Sequence, residues 1–436
     1  MYVKRLILLG ALTLLVMGAV ALHVFAAPRV EPCPGTFGQG IAFPSLYIDT
    51  GRQAIRNRTD WVDATVTLHY HVEVFEFEGL SAQIRGRGNS SWGLPKQPFR
   101  LRFHEPVEML CAGHSARNWT LIANHSDKTL MRNYAAYYFA GLLDGMDVSP
   151  YARFVDLYIN GLYQGVYMLS IQMEVLPGRI QVTGHEDPHI SEYFLQLDQR
   201  QIYDGIRGFE FVTVNRRHYQ IRYPNNDIRT IYHAEYVRQF IIKVENAIFR
   251  RDENVFDLIC KQSFIDFYLV QELFKNQDAG FSSVFMTIRG QGDARRLAMG
   301  PVWDFDIAAG NAYYQGWATI HGGYSPQGVW VTAVNPWFNG LLRIPEFAEA
   351  THQRWHEIRD NEVLQMMARV DHLATVYEAH FYRNFERWPI MGRYVWPNPP
   401  LVAQINTFRG QVNYFLWFIQ ERRYWIDEFL LGMLDA

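Results

Sequence analysis

The sequence predicts an α+β fold with two lobes, in which strands dominate the first half of the chain and helices the second. Up to about residue 225, apolar residues alternate with period two between turns that contain Gly, Pro or Asn. Beyond that point they recur at helical spacing. The 436 residues, 49% hydrophobic and 19% charged, suffice for two lobes with a substantial core. The net charge of -3 gives no electrostatic reason to expect a nucleic-acid partner.

The first 40 residues are expected to lie outside the folded lobes. Residues 1–27 combine Lys4 and Arg5 with a long apolar run, which predicts a signal peptide or an N-terminal membrane anchor. Either one exports the rest of the chain from the cytoplasm, as a secreted protein or one attached to the membrane by its N-terminus. Residues 28–40 are rich in Pro and Gly and are predicted to form a linker. The three cysteines fit neither a zinc pattern nor a disulfide framework, although they allow one disulfide.

The β-rich lobe is predicted to cover residues 41–225. Two runs of period-two alternation within residues 64–77 predict strands. Residues 154–169 are predicted to form a hairpin, because the Asn160-Gly161 pair at their centre suits a tight turn with positive φ. Residues 130–143 carry aromatic and aliphatic side chains at helical spacing, so one helix is expected within this lobe.

The helical lobe is predicted to cover residues 226–436. Residues 229–250 form an amphipathic pattern that predicts its first helix. Ser263 is expected to cap a helix over residues 264–275, and Pro345 suits the first turn of a helix that continues through Trp355. Helices continue to the end of the chain, with a break in the proline-rich stretch after residue 388.

Two carboxylates in residues 300–310 are the first candidates for chemistry. Asp304 and Asp306 lie two positions apart in an apolar, Gly-flanked stretch, and an extended backbone would point both side chains the same way. Two buried like charges repel each other, and a bound divalent cation offsets that repulsion. Asp304 and Asp306 are therefore predicted to bind Mg²⁺ or Mn²⁺, which suggests phosphate chemistry.

A basic, Gly-rich loop is predicted between two strands at residues 84–92. Glycines let backbone N–H groups approach phosphate oxygens, and basic side chains supply the counter-charge. A single Gly-x-Gly more often marks a basic β-turn. Because this one joins two strands, it is similar to the phosphate-covering loop of protein kinases. The residues predicted to contact the nucleotide in and near this loop are Arg85, Arg87, Gly88, Asn89, Ser90 and Arg100.

Asp278 is the candidate catalytic residue. Alone, a carboxylate just after a predicted helix is more simply a solvated helix end. However, Asp278 lies 28 residues before Asp306, with a predicted hairpin over residues 284–299 between them. Protein kinases place a catalytic-loop Asp, a short hairpin and a metal-binding Asp in that order. Ser283 occupies the position where protein kinases usually have a metal-binding Asn.

Several of these segments together resemble the CotH kinase family, over about residues 40–390. The matching segments are residues 84–92, 118–133, 155–169, 301–310 and 339–347. The resemblance implies an atypical protein-kinase-like fold and ATP-dependent phosphorylation of Ser or Thr on coat or envelope proteins. It also implies a catalytic role for Asp278, cation binding by Asp304 and Asp306, and a phosphate contact for Lys96 or a nearby basic residue. The implied partners are a nucleotide and a protein substrate with an exposed Ser or Thr.

The chain departs from the family pattern at two positions. Ile171 stands where the family commonly has the Glu of Thr-Glu-Gln, and Gln196 replaces the Glu of Leu-Leu-Glu-Leu-Asp, although Asp198 is kept. These losses, and export away from cytoplasmic ATP, favour a second hypothesis. In that hypothesis the chain is a catalytically weak or inactive kinase-fold scaffold in cell-surface or coat assembly.

Overall fold

The computed structural model describes residues 43–70, 76–199, 210–213, 216–313 and 322–434. The expected leader and linker lie outside these residues, as does most of the predicted alternation over residues 72–77. Among the described residues, no helix has both the length and the apolar character needed to cross a membrane.

The first part of the chain forms a closed barrel of seven strands. The strands follow one another around the barrel in the order β1-β2-β3-β4-β5-β7-β6, and β1 closes it by pairing in parallel with β6. Period-two alternation turns Ala64, Val66 and Leu68 of β2 into the interior, as the sequence predicts. The strands are β1 (Ser45–Asp49), β2 (Val62–His69), β3 (Phe77–Gly86), β4 (Phe99–Val107), β5 (Ala116–Ile122), β6 (Arg153–Ile159) and β7 (Leu162–Ile171).

The predicted hairpin at residues 154–169 is confirmed as the β6–β7 pair. Asn160 and Gly161 form its turn with φ values of 51° and 78°, the left-handed pair that a two-residue hairpin turn requires. The Asn160 side chain also accepts a hydrogen bond from the Thr50 backbone N–H at 2.8 Å. That contact ties the turn to the end of β1.

A second, five-stranded antiparallel sheet has the strand order β12-β11-β8-β10-β9. Strand β8 pairs with β11, so this sheet contains strands from both sides of residue 225. The lobe boundary predicted at residue 225 therefore falls within a single sheet. Residue periodicity identifies strands but does not reveal such long-range pairing. The hairpin predicted over residues 284–299 is confirmed as β11 and β12. The strands are β8 (Tyr193–Leu197), β9 (Glu210–Val212), β10 (His218–Tyr223), β11 (Val284–Arg289) and β12 (Arg296–Met299).

Helices dominate the second part of the chain, which confirms the α+β class. Pro345 begins a helix as predicted, and the proline-rich break falls between α8 and α9. The helices are α1 (Arg132–Leu142), α2 (Ile231–Arg250), α3 (Lys261–Phe274), α4 (Val331–Val334), α5 (Pro336–Leu341), α6 (Pro345–Ile358), α7 (Glu362–Val376), α8 (Glu378–Arg387), α9 (Pro400–Gln404) and α10 (Phe408–Leu434).

Helix α3 begins earlier than predicted, and the expected cap at Ser263 is wrong. The Ser263 hydroxyl donates to the Cys260 carbonyl at 2.8 Å and accepts from the Met299 backbone N–H at 3.0 Å. It therefore joins the first turn of α3 to β12 instead of capping the helix. Every residue of α3 from Ser263 to Phe274 is buried, so this helix lies in the interior of the helical part.

The described residues form two apolar cores. One fills the barrel, with Trp119, Tyr167 and Leu101 fully buried. The other packs the helices against the second sheet and the outer side of β6 and β7. Cys111, beside the barrel core, is disulfide-bonded, and Cys260 is free.

Candidate active site

A polar cavity of about 460 Å³ collects residues from both parts of the molecule. The β3–β4 loop lines one side, and the segments that follow α3 and β12 line another. Asp278, Asp304 and Asp306 all contribute to its wall, together with the loop residues Arg87 and Gly88. Residues that lie far apart in the sequence therefore meet in one cavity.

Asp278 reaches the cavity because helix α3 ends in a tight turn. Lys275 has a φ of 47° and reverses the chain direction, and the Asp278 N–H then donates to the Asn276 side chain at 3.1 Å. The Asp278 carbonyl accepts from the Phe281 N–H at 3.0 Å. These local bonds hold the half-buried Asp278 at the cavity wall.

Asp304 and Asp306 meet by a different geometry from the one predicted. The sequence argument assumed an extended backbone, but Asp304 has a φ of 69° and the segment bends. Both residues still line the cavity. The Ser283 hydroxyl donates to Asp304 Oδ2 at 3.0 Å, which orients that carboxylate.

The carboxylates place an excess of negative charge around Asp306. Burial and, after it, the neighbouring Asp304, Asp127 and Asp278 together raise the pKa of Asp306 to about 8. A divalent cation would relieve this repulsion. Among the described residues, no group of three or more His, Cys, Asp or Glu is arranged as a metal site. Mg²⁺ commonly uses only one or two carboxylates beside water and phosphate oxygens, so the donor set fits.

A buried ion pair supports the segment that carries Asp304 and Asp306. Arg132 Nη1 and Asp127 Oδ1 lie 2.5 Å apart, and both side chains have no solvent exposure. The same guanidinium donates from Nε to the Ala309 carbonyl at 3.3 Å. Asn133, the next residue of α1, accepts from the Phe305 N–H at 2.6 Å. The start of α1 thus fixes the segment at two places.

Two amide side chains fix the far end of the same segment. Asn311 Nδ2 donates to the Asp306 carbonyl at 2.7 Å and to the Ser126 carbonyl at 3.0 Å. Asn398 Nδ2 in turn donates to Asn311 Oδ1 at 3.0 Å. These hydrogen bonds fix the backbone position around Asp306.

The β3–β4 loop needs its glycines for steric reasons. A Cβ atom on Gly86 would overlap the Trp92 ring, and one on Gly88, whose φ is 82°, would overlap the Ser91 hydroxyl. The loop then places Arg87 at the cavity, with its guanidinium 5.9 Å from the centre of the Trp303 ring. Burial lowers the pKa of Arg87, and the nearby Asp304 and Asp306 oppose that shift by favouring its charged form.

Comparison with known protein families identifies the family of this chain. A family model described as CotH kinase protein matches residues 84–426. The chain belongs to the CotH kinase family. The match starts near the end of β3, at the first of the sequence motifs, and ends in α10, so it begins and ends later than the predicted range of about residues 40–390. A search of curated proteins finds no match.

Three residues predicted to contact nucleotide in this member of the CotH kinase family do not line the cavity, and this is a correction. Lys96 is almost fully buried, and its Nζ donates to the Val166 carbonyl at 2.5 Å and to Asn384 Oδ1 at 2.9 Å. Arg85 donates to a backbone carbonyl at 2.5 Å, and Arg100 donates to a side-chain amide at 3.2 Å. Lys96 joins the barrel to α8, while the two arginines lie on strands β3 and β4. The loop residues Arg87, Gly88, Asn89 and Ser90 do line the cavity.

The two departures from the family pattern have different structural settings. Ile171 is fully buried in the barrel core, whereas Gln196 lines the cavity and donates to Asp198 Oδ2 at 3.3 Å. Sequence reasoning missed Arg222, which also lines the cavity. Its only signal was a lone Arg in a strand-like stretch. Asp198 lines the cavity as well, and the family motif that ends at Asp198 had indicated it.

A buried cluster of charges holds residues 322–331 against the end of α3. Lys275 Nζ donates to the carbonyls of Gly322, Ser325 and Gln327 at 2.9, 2.9 and 2.7 Å. Burial lowers the pKa of Lys275 to about 7. Because Lys275 lies three residues before Asp278, this contact couples the position of Asp278 to residues 322–331.

Glu272 and Arg422 complete this cluster. Arg422 Nη2 and Glu272 Oε1 lie 2.6 Å apart, and neither side chain is exposed. The two Glu272 oxygens also accept from the backbone N–H groups of Trp330 and Val331, at 2.9 and 2.7 Å. The segment is thus fixed by charge-assisted hydrogen bonds to side chains of α3 and α10.

Lys275→Met is expected to change how stability depends on pH. The folded-state pKa of Lys275 lies below its ordinary value of 10.5, so the unfolded chain binds more protons between about pH 7 and 10.5. Lys275 therefore makes wild-type stability rise with pH across that window. Urea unfolding at pH 7 and 9.5 should give a smaller rise for the variant than for wild type. An identical rise would show that Lys275 titrates normally in the folded protein.

Proposed function

We propose that this CotH family member is an atypical, ATP-dependent Ser/Thr protein kinase of envelope or coat proteins, with a kinase-like fold. The observation that carries the proposal is the convergence of Asp278, Asp304 and Asp306 with the basic Gly loop in one cavity. Carboxylates for a cation and a base, and a basic loop for phosphates, are the parts that phosphoryl transfer needs. Family membership independently supports kinase chemistry.

Each group has a proposed task in in-line transfer to a hydroxyl. Asp278 would orient the Ser or Thr hydroxyl of the substrate and accept its proton. Arg87 and the loop backbone around Gly88 would neutralise charge on the phosphate oxygens. Ser283 would keep the Asp304 carboxylate in a fixed orientation through its hydrogen bond.

Asp304 and Asp306 would hold Mg²⁺ or Mn²⁺. When bound, such a cation screens the negative charge of the phosphates and positions them. The anchors described above would fix the two carboxylates before ligand arrives, so little ordering would be needed on binding. The fit rests on the burial of Asp306 and the crowding of carboxylates around it, which together raise its pKa.

An exported location is also proposed, from the expected leader and from the family's association with coats. The disulfide at Cys111 supports an oxidising compartment.

The competing proposal is an inactive kinase-fold scaffold. It is favoured by Gln196, which carries no charge at the cavity where the family often has Glu. Incubation with γ-labelled ATP and Mn²⁺, with casein as acceptor, tests the kinase proposal directly. Label in casein or in the protein itself is the expected result, and none in either would favour the scaffold.

A thermal-shift assay separates nucleotide binding from catalysis. ATP with Mn²⁺ at a hundredfold excess over its Kd should raise Tm by about 3 °C for a chain of this size. Asp304→Asn should remove the cation-dependent part of the shift. Asp293→Asn, an exposed residue in the β11–β12 connection, serves as the control and should keep it. A wild-type protein that does not respond would argue against a nucleotide site.

A further inference from the structure

A strip of arginines runs from the cavity along strands β3 and β4. Arg222 and Arg87 line the cavity, and both lie close enough to Arg100 to disfavour its charged form. Arg85 acts on Arg100 in the same way, and Arg102 on Arg85. We call these five residues the arginine strip. It links the interior of the cavity to the outer surface of the barrel.

The strand register concentrates positive charge in this strip. Arg85 lies directly opposite Arg100, at neighbouring positions of β3 and β4. Like charges at directly opposed positions destabilise a sheet. The arrangement therefore costs stability, which suggests that it has a use outside the fold.

An aromatic ring holds three of these guanidinium groups in place. Arg85, Arg100 and Arg102 lie 4.7, 5.9 and 4.3 Å from the centre of the Trp61 ring. Cation–π contacts of this kind restrict the long side chains. A guanidinium that is already fixed loses less entropy when it binds a carboxylate or phosphate.

The charge of the strip is poorly neutralised by the protein itself. Within the described residues, no member of the strip forms a salt bridge. At the cavity end of the strip, Asp304 and Asp306 lie near Arg87, and Asp198 and Glu174 lie near Arg222. Along the strands, Glu174 is the carboxylate close to Arg100, and it accepts a hydrogen bond from the Asn118 side chain at 3.0 Å. The strand part of the strip, Arg85, Arg100 and Arg102, therefore keeps an excess of positive charge on a chain whose net charge is -3.

We propose that the arginine strip docks an acidic peptide segment of the protein substrate, whose carboxylate or phosphate groups pair with the guanidinium groups. This inference rests on the proposed kinase function and specifies its substrate class. Because the strip leads into the cavity, a segment bound along it would bring a nearby Ser or Thr toward Asp278. The assignment also gives Arg85 and Arg100 a role outside the cavity, consistent with their positions.

A peptide fits the strip better than a nucleic acid does. Single-stranded nucleic acids are bound largely by base stacking on free aromatic faces. Arg85 and Arg102 occupy the surroundings of the Trp61 ring, so that ring offers little free face. The negative net charge also opposes binding of a long polyanion.

The test measures the binding of fluorescein-labelled peptides by anisotropy, without ATP. Three peptides of equal length carry one Ser among Asp and Glu, among phosphoserines, or among Gly and Ala. The wild-type protein should bind the two acidic peptides more tightly than the neutral one, and less tightly as salt is raised. Arg85→Gln/Arg102→Gln should weaken acidic binding roughly two- to thirtyfold and flatten the salt dependence.

Two variants serve as controls. Arg85→Lys/Arg102→Lys keeps both charges and should retain most of the affinity. Arg250→Gln/Arg343→Gln removes two exposed arginines of the helical part and should bind like wild type. Equal wild-type affinity for acidic and neutral peptides, or an equal loss in the helical control, would overturn the docking proposal. Displacement of the acidic peptide by a matched oligonucleotide, at lower concentration than by unlabelled peptide, would also overturn it.

Phosphoryl-transfer assays with the same peptides separate the two proposals. Label transfer without preference for acidic peptides would overturn the docking strip and leave the kinase function intact. Tight acidic binding with no transfer to any peptide would leave the strip intact and overturn the kinase function. Preferential binding of the phosphoserine peptide over the Asp and Glu peptide would support docking and identify phosphate as the favoured group.

Discussion

Asp278→Asn is expected to abolish measurable phosphoryl transfer while leaving nucleotide and cation binding close to wild type. Asn keeps the size and hydrogen-bonding shape of the side chain but cannot accept the substrate proton. Loss of a positioned general base typically costs about 10²- to 10⁴-fold in rate. The measurement is the initial rate of label transfer from γ-labelled ATP with Mn²⁺, alongside the thermal shift with the same ligands.

The matched control is again Asp293→Asn, which removes an equivalent carboxylate from an exposed position. It should transfer label at the wild-type rate. If Asp278→Asn kept full activity, Asp278 would have no part in the chemistry. If it lost the thermal shift as well, its role would be ligand binding and not proton transfer.

Arg132→Met is expected to destabilise the protein strongly. The substitution leaves Asp127 fully buried without its ion-pair partner and frees the Ala309 carbonyl. Breaking a buried pair on one side typically costs about 3–5 kcal/mol of unfolding free energy. Urea denaturation should show a lower midpoint. Cation-dependent thermal shifts should also shrink, because the segment carrying Asp304 would lose an anchor.

Two further variants test this explanation. Asp127→Asn/Arg132→Met removes both charges and should recover part of the loss, since no buried charge is left unpaired. Arg117→Met breaks the exposed pair with Glu105 and should cost less than about 1 kcal/mol. A small effect of Arg132→Met alone would contradict the view that this pair fixes the segment.

Local features of the fold were predictable because they depend on neighbouring residues. The Asn160-Gly161 turn, the β11–β12 hairpin and the Pro345 helix start each follow from backbone preferences of a few residues. Features that depend on distant pairing were not. The parallel contact of β1 with β6, which closes the barrel, and the pairing of β8 with β11 across residue 225 left no periodic signal.

The candidate site, like the fold, could be predicted only in part from the sequence. The order of Asp278, a hairpin and Asp306 indicated one shared location, and the three carboxylates do meet at one cavity. The assumption of an extended backbone was wrong, because Asp304 adopts a left-handed conformation that composition does not reveal. The family resemblance implied a phosphate contact for Lys96, yet its ammonium group donates to the Val166 carbonyl and the Asn384 side chain in the interior. A charged residue near a motif can serve packing as readily as ligand binding.

A crystal structure with Mn²⁺ and a non-hydrolysable ATP analogue tests the central claim most directly. We expect an anomalous difference peak for Mn²⁺ in contact with the Asp304 carboxylate, with analogue phosphates between it and the loop around Gly88. We also expect Asp278 to face the terminal phosphate. A cation and nucleotide bound elsewhere, or a cavity that stays free of both at saturating concentrations, would contradict the assignment.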